Sequence, residues 1–181
     1  GGDVLPCGWD VDGDIRAAVG YLSDRGDVTE GRIGAFGLSA GAGAALQAAA
    51  EDPRIGAVVA EGTGFRTLTD MFVVPSVGNL SRVPGVWVME KVASLQSGVA
   101  SPSPTAALIA RVAPRAVFLI AADTPEERLP NRAYFAAAGE PKMLWEPERT
   151  GHVAALETHP EEYEQRVVDF FNRALLQEPI D

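Results

Sequence analysis

Short runs of apolar residues alternate along the chain with segments in which apolar residues recur every three or four positions. The short runs have the length of buried strands and lie at 33–36, 55–60, 114–121 and 142–146. Helical spacing is clearest at 10–25, at 40–51 and after residue 158. Because strands alternate with helices, the pattern predicts an α/β fold with a parallel sheet flanked by helices.

The last helix has the most complete set of helix signals. Thr158-x-x-Glu161 has the spacing of a capping box, and Pro160 would stand in the first turn. The apolar stripe of this helix is predicted to contain Tyr163, Val167, Phe170, Phe171 and Ala174.

Residues 65–112 do not follow the alternation. The segment is rich in apolar residues, but proline and glycine, among them Pro84 and Gly85, are expected to break it into short pieces. Long segments without a sheet strand are usually functional in compact domains, so we predict a lid-like insert over a pocket. The alternative is ordinary helical packing at one edge of the sheet.

Length and charge restrict the class of protein. The 181 residues are expected to form one domain over 1–181, and no apolar run reaches membrane-spanning length. Fifteen basic against 25 acidic residues give a net charge of -10, which opposes binding to nucleic acid or to anionic membranes. A single cysteine, Cys7, excludes an internal disulfide, and two histidines leave no zinc-type cluster. Nothing indicates an oxidising compartment, so a cytoplasmic location is expected.

A glycine-rich turn joins the first predicted strand to the alanine-rich helix after it. The turn is Gly37-Leu38-Ser39-Ala40-Gly41, with the serine at its tip. Glycines two residues to either side allow strand and helix to approach closely, as the strained turn under a nucleophilic serine requires. We therefore predict that Ser39 is a nucleophile.

Two other interpretations of this turn are open. A serine at a helix start often serves only as an N-cap, its hydroxyl accepting a backbone N–H. Alternatively, the segment from Gly41 to Leu46 begins like a dinucleotide-binding turn, and Glu61 lies at a suitable distance for a ribose contact. Leu46 at the sixth position, and glycines inside the predicted helix, disfavour the dinucleotide interpretation.

A serine after the first predicted strand is followed by a carboxylate after a later strand and by a histidine after the last strand. This chain order resembles the α/β-hydrolase family, whose nucleophile turn matches residues 37–41. The chain looks most like the dienelactone-hydrolase-like and serine-aminopeptidase-like esterases. The similarity runs from Gly8 to about Leu176. It is carried by the helix at 9–22, by Gly31-Arg32-Ile33-Gly34, by residues 48–53 and by Tyr163-Glu-x-Arg-Val-Val-x-Phe-Phe171.

The resemblance also suggests a base and an oxyanion donor. A serine hydroxyl needs an imidazole to take its proton, and the imidazole needs a carboxylate to fix its tautomer. His152 follows the last predicted strand, where the family places its base, whereas His159 lies in the capping box. His152 is therefore the predicted base, and the backbone N–H of Ala40 is one predicted oxyanion donor.

Three carboxylates follow the third predicted strand, namely Asp123, Glu126 and Glu127. In the family pattern a proline stands four residues after the acid, as Pro130 does for Glu126, so Glu126 is the predicted acid. Glu127 is the second choice, because Ala121-Ala122 replaces the more frequent His-Gly and leaves the register open by about one residue. The alternative is that all three are solvated loop charges.

Together these features predict a serine hydrolase that acts on a small-molecule carboxylic ester, or less favourably an amide or thioester, through an acyl-enzyme. No cofactor is implied. The alternative is a binding or scaffold protein that keeps the fold without turnover, since a fold does not dictate a function.

The resemblance carries an expectation about the sheet as well. In the family the strand before the nucleophile is the fifth of eight, so the α/β-hydrolase fold is expected here without its N-terminal strands, and the start at Gly1 is expected to be a cut. The strand at 33–36 would then be an exposed apolar edge, which favours self-association. The second oxyanion donor would come from a loop among those strands.

Overall fold

The structure is a computed structural model that describes residues 11–73, 77–98 and 100–176. Helices and strands alternate along this part of the chain. In order they are α1 (Val11–Ser23), β1 (Ile33–Leu38), α2 (Ala40–Glu51), β2 (Ile55–Glu61), a 3-10 helix (Thr69–Phe72), α3 (Val77–Ser97), α4 (Thr105–Ala110), β3 (Ala116–Ile120), α5 (Pro125–Ala137), β4 (Lys142–Trp145), α6 (Ala155–Thr158) and α7 (Pro160–Leu176).

The four strands form one parallel sheet in the order β1-β2-β3-β4. Their register aligns the last residues of neighbouring strands: Leu38 lies beside Glu61, Glu61 beside Ile120, and Ile120 beside Trp145. The loops that follow the strands therefore all begin at the same end of the sheet, where the strands terminate. The predicted α/β fold with a parallel sheet flanked by helices is confirmed.

Alternate residues of the central strands pack on opposite layers of helices, as the two-residue period of a strand requires. On one face, Val58 packs in a core with Leu46 of α2 and with side chains of α1, α4 and α5. On the other face, Val59 and Phe118 pack against α7, where the rings of Phe118 and Phe170 lie 5.4 Å apart. The sheet is thus covered on both faces.

The C-terminal helix has the predicted buried face but a different start. Tyr163 and Phe170 are buried, and the predicted residues Val167, Phe171 and Ala174 pack around them. The predicted capping box is wrong: Thr158 ends the short helix α6, and its hydroxyl donates to the Ala154 carbonyl at 2.9 Å. Because α7 begins at Pro160, the residue directly before it is His159, so Thr158 does not stand at the N-cap position.

The segment 65–112 contains a long helix that the sequence pattern did not predict. Helix α3 is 21 residues long and continues through Pro84 and Gly85, so the breaks expected at these two residues are wrong. An interior proline removes one backbone hydrogen bond and can bend a helix without ending it. The lid role of this segment remains a prediction.

The two ends of that segment differ in burial. In and after α4, Leu108, Ile109 and Val112 are buried, and the last two belong to the core that contains Leu46. Helix α3, in contrast, exposes the apolar side chains of Trp87, Val88, Met89, Val92 and Leu95. Neither α3 nor any other helix in the described residues is long and apolar enough to cross a bilayer.

One edge of the sheet carries exposed apolar side chains. Within the described residues β1 is the outermost strand on this side, and its Phe36 and Leu38 are 45% and 44% exposed. The predicted self-association of the chain would involve these side chains.

Candidate active site

Three side chains from distant parts of the chain meet where the strands end. The Oγ of Ser39, directly after β1, lies 2.9 Å from Nε2 of His152, which is in the loop after β4. The Nδ1 of His152 contacts Oε1 of Glu127, which is in the first turn of α5. The other oxygen of that carboxylate accepts the backbone N–H of Ala122 at 2.9 Å. Serine, imidazole and carboxylate therefore form a continuous chain of contacts.

The turn at Ser39 has the strained backbone that was predicted for it. Ser39 has φ 53° and ψ -118°, a conformation that L-residues rarely adopt, and its N–H donates to the Glu61 carbonyl at 2.8 Å. A Cβ at Gly37 would lie 2.2 Å from the Gly41 carbonyl oxygen, so strand and helix need a glycine there. Gly41 itself faces open space. The close approach of strand and helix that was predicted to require a glycine at position 41 is therefore absent among the described residues.

Neither alternative interpretation of the turn fits this geometry. Ser39 makes no side-chain capping bond to α2, because its hydroxyl points to His152. Gly41 and Gly43 lie inside α2, where they cannot form a dinucleotide-binding turn. Glu61 is only 3% exposed, and its carboxylate is bonded to other parts of the protein, so it is not available to a ribose.

The carboxylate that contacts the imidazole is one residue later than the predicted acid. Glu126 is exposed, whereas Glu127 is 8% exposed and contacts His152, so the choice of Glu126 is wrong and the second choice fits. Successive residues of a helix point about 100° apart, so Glu126 and Glu127 face different directions. The spacing of the buried residues along α5 indicates Glu127 and not Glu126. These buried residues are Glu127, Pro130, Asn131 and Tyr134.

Asp123, the third predicted carboxylate, lies beside the site in a different role. It accepts the backbone N–H of Arg149 at 2.8 Å and forms an ion pair with Arg128 at 2.7 Å. The N–H of Asp123 also donates to the Thr150 carbonyl at 2.8 Å. Asp123 thus fixes the chain just before His152.

His152 is in the predicted loop, and its imidazole lies against the backbone of Gly62. A Cβ at Gly62 would be 2.9 Å from Cε1 and 3.1 Å from Nδ1 of the imidazole, and Gly62 has φ +68°. Val153, the next residue after the histidine, has φ 48°. The position of the His152 imidazole is therefore restricted by its packing against Gly62 and by the left-handed backbone of Val153.

The second histidine lies outside the contact chain. Nε2 of His159 donates to the Glu148 carbonyl at 2.9 Å, and its ring packs edge-on against Trp145. Of the two histidines, His152 is thus the one that contacts Ser39.

The predicted oxyanion donor, Ala40, directly follows Ser39. Ala40 is the first residue of α2, so its backbone N–H has no acceptor within the helix. A helix N-terminus also carries partial positive charge, which favours an anion at this point. The role of Ala40 as a donor is a proposal.

Below the contact chain, Glu61 and Tyr163 form a buried polar pair. Burial raises the pKa of the Tyr163 hydroxyl, and the neighbouring Glu61 raises it further. The hydroxyl therefore stays protonated and donates to Glu61 Oε2 at 2.7 Å.

No three His, Cys, Asp or Glu side chains in the described residues are grouped so that they could hold a metal ion.

No protein-family model matches the chain, and no curated protein matches it in sequence. Solved structures do match over most of its length. The esterase Pf2001 of Pyrococcus furiosus has a TM-score of 0.70 at 21% identity, covering 97% of this chain and 65% of that one. The alpha/beta hydrolase GrgF from Penicillium sp. sh18 has a TM-score of 0.64 at 17% identity, covering 93% and 73%. The 2,6-dihydroxy-pseudo-oxynicotine hydrolase has a TM-score of 0.67 at 19% identity, covering 94% and 48%.

The chain thus spans between 48% and 73% of the length of these three structures. Sequence identities this low establish the shared fold alone. With four parallel strands, flanking helices and these neighbours, the chain has the α/β-hydrolase fold.

Proposed function

We propose that the protein is a serine hydrolase that cleaves a small-molecule carboxylic ester, or less favourably an amide or thioester, through an acyl-enzyme. The observation that carries this proposal is the contact chain from Ser39 through His152 to Glu127. The structural neighbours described as esterases and hydrolases support the general class.

In the proposed reaction the Ser39 Oγ attacks the carbonyl carbon while Nε2 of His152 takes the hydroxyl proton. The Glu127 carboxylate keeps the other imidazole proton on Nδ1 and stabilises the imidazolium. The imidazolium then protonates the leaving alcohol, and the acyl group remains on Ser39. A water molecule, deprotonated by the same imidazole, releases the acid and restores the serine.

The negative oxygen of the tetrahedral intermediate needs hydrogen-bond donors. Ala40 is the proposed donor, because its N–H stands at the start of α2, beside the nucleophile. One such donor typically contributes about 10² to 10³ in rate.

We also propose that residues 65–112 act as a lid over this site. A buried carboxylate, Asp70, joins the two ends of the excursion: it accepts the N–H of Thr67 at 3.0 Å and that of Thr105 at 2.7 Å. Helix α3 lies between these two points in the chain and exposes apolar side chains. A helix with exposed apolar side chains, in a segment whose two ends are joined by a buried carboxylate, is suited to covering an apolar acyl group.

The first prediction concerns the nucleophile and the base. In the intact protein, Ser39→Ala and His152→Ala should each lower kcat for p-nitrophenyl acetate by about 10⁴-fold or more, because members of a triad act as a unit. His159→Ala is the matched control and should keep most of the activity, since its ring is bonded to the Glu148 carbonyl. Hydrolysis retained by folded Ser39→Ala would contradict the proposal.

The second prediction separates the two neighbouring glutamates. In Glu127→Gln the amide cannot accept from both Ala122 N–H and Nδ1–H, so one donor faces another donor or the imidazole takes the wrong tautomer. We expect kcat to fall by about 10² to 10⁴-fold. Glu126→Gln, one residue away and exposed, should stay within about twofold of the wild type. The reverse order of effects would restore Glu126 as the acid.

The third prediction tests the position of the imidazole. Gly62→Ala places a methyl group 2.9 Å from Cε1 of His152 at a positive φ, so the imidazole must move away. We expect kcat to fall by about 10²-fold, the effect of a displacement near 1 Å. Gly64→Ala is the control, because a Cβ there meets nothing within 4 Å. Equal activity of the two variants would exclude the close packing of Gly62 against the imidazole.

A further inference from the structure

Glu61, the last residue of β2, lies between the strands that precede the nucleophile and the acid. It is beside Leu38 of β1 and Ile120 of β3, and its side chain is 3% exposed. Its carbonyl accepts the N–H of Ser39 at 2.8 Å. The main chain of Glu61 thus holds the nucleophile turn.

The side chain of the same residue reaches the loop that carries the base. Oε1 accepts the backbone N–H of Ala155 at 3.2 Å, and Oε2 accepts the Tyr163 hydroxyl at 2.7 Å. Ala155 is three residues after His152 and begins α6. One residue is therefore bonded both to the nucleophile turn and to the chain beyond the base.

The histidine loop is anchored on its other side as well. Before His152, Asp123 accepts the N–H of Arg149 and donates its own N–H to the Thr150 carbonyl, both at 2.8 Å. After His152, the bond from Ala155 to Glu61 is the corresponding anchor. Loss of this bond removes the hydrogen bond between the start of α6 and β2, and we expect the segment after His152 to loosen and the imidazole to shift with it.

The burial of Glu61 indicates that its carboxylate is needed as a hydrogen-bond acceptor for Ala155 and Tyr163. Burying a carboxylate costs several kcal/mol unless hydrogen bonds compensate, and an apolar residue of similar size is often as stable or more stable. A leucine at this position would fill the volume but leave the Ala155 N–H and the Tyr163 hydroxyl without an acceptor. A carboxylate in this place is thus costly as packing and useful as an anchor.

We propose that Glu61 is a positioning residue, which sets the distance between His152 Nε2 and Ser39 Oγ by fixing Ala155 relative to β2. The inference rests on the proposed hydrolase function. Glu61 does not touch the substrate, so it acts on the chemical step through the imidazole and leaves substrate binding unchanged.

Three variants of the intact protein test this role by ester hydrolysis. Glu61→Leu should lower kcat by about 10 to 10²-fold with KM within about twofold, because the imidazole is misplaced and the substrate site is not. Glu61→Gln keeps an acceptor for Ala155 and should recover kcat to within about threefold of the wild type. Asp52→Asn is the control: Asp52 is a buried carboxylate at the other end of β2, bonded to Arg54, so its loss should lower stability and not kcat. Equal loss in the Gln and Leu variants would overturn the hydrogen-bond role.

A second measurement is independent of turnover. Hydrogen exchange of the amides of residues 153–158 should be faster in Glu61→Leu than in the wild type, and unchanged in Asp52→Asn. If the wild type hydrolyses no ester but this difference is found, the hydrolase proposal fails and the anchor stands. Wild-type kcat and wild-type exchange in Glu61→Leu would overturn the anchor.

A variant that loses one hydroxyl covers the case in which Glu61→Leu does not fold. Tyr163→Phe removes one of the two groups that hold the carboxylate and leaves the Ala155 bond in place. It should lower kcat by about threefold to tenfold with KM unchanged and speed exchange at 153–158, the direction expected for a slightly looser imidazole. Unchanged kcat and exchange in this variant would count against the proposal.

Discussion

The parallel register of the sheet is the constraint on which the candidate site depends. Because Leu38, Glu61, Ile120 and Trp145 lie side by side, the segments that follow their strands begin at the same level. Backbone hydrogen bonds across these ends continue the ladder, from Ser39 N–H to Glu61 and from Gly62 N–H to Ile120. A serine, a carboxylate and a histidine more than a hundred positions apart at their extremes can then meet without a long flexible loop.

The end of β2 has a central place in this arrangement. Glu61 is bonded to the nucleophile turn and to Ala155, and Gly62 packs against the imidazole. The next residue, Thr63, accepts the side-chain amide of Asn131, which also donates to the Glu127 carbonyl. Three consecutive residues therefore contact the elements that carry all three members of the contact chain, although none of them is a member itself.

Sequence reasoning was strongest where a local pattern has a local cause. The turn at Ser39 was predicted because glycine spacing, strand and helix all lie within a few residues, and the strands because apolar runs must be buried on both faces. The carboxylate that contacts His152 is one residue later than predicted, because the proline spacing of the family and the phase of helix α5 indicate different residues. Tyr134, seven positions after Glu127, lies on the same buried face and marks the correct phase.

Other features depend on contacts between distant segments, which one sequence does not reveal. Glu61 was considered only as a ribose ligand, since nothing near it in sequence indicates Tyr163 or Ala155 as partners. Helix α3 was not predicted, because Pro84 and Gly85 usually mark the end of a helix and here lie inside one. In both cases the missing information is tertiary: a partner for a buried carboxylate, and a helix long enough to tolerate a proline.

Labelling with a fluorophosphonate probe tests most directly whether the contact chain activates Ser39. Such probes bond to a serine whose proton a neighbouring imidazole can accept, and they leave ordinary surface serines unmodified. Mass spectrometry of the digested protein should find one label per chain, on Ser39, and none when His152 or Glu127 is replaced. No label on Ser39 in the folded, intact protein, or equal labelling after His152→Ala, would show that serine, imidazole and carboxylate lie together without forming a catalytic unit.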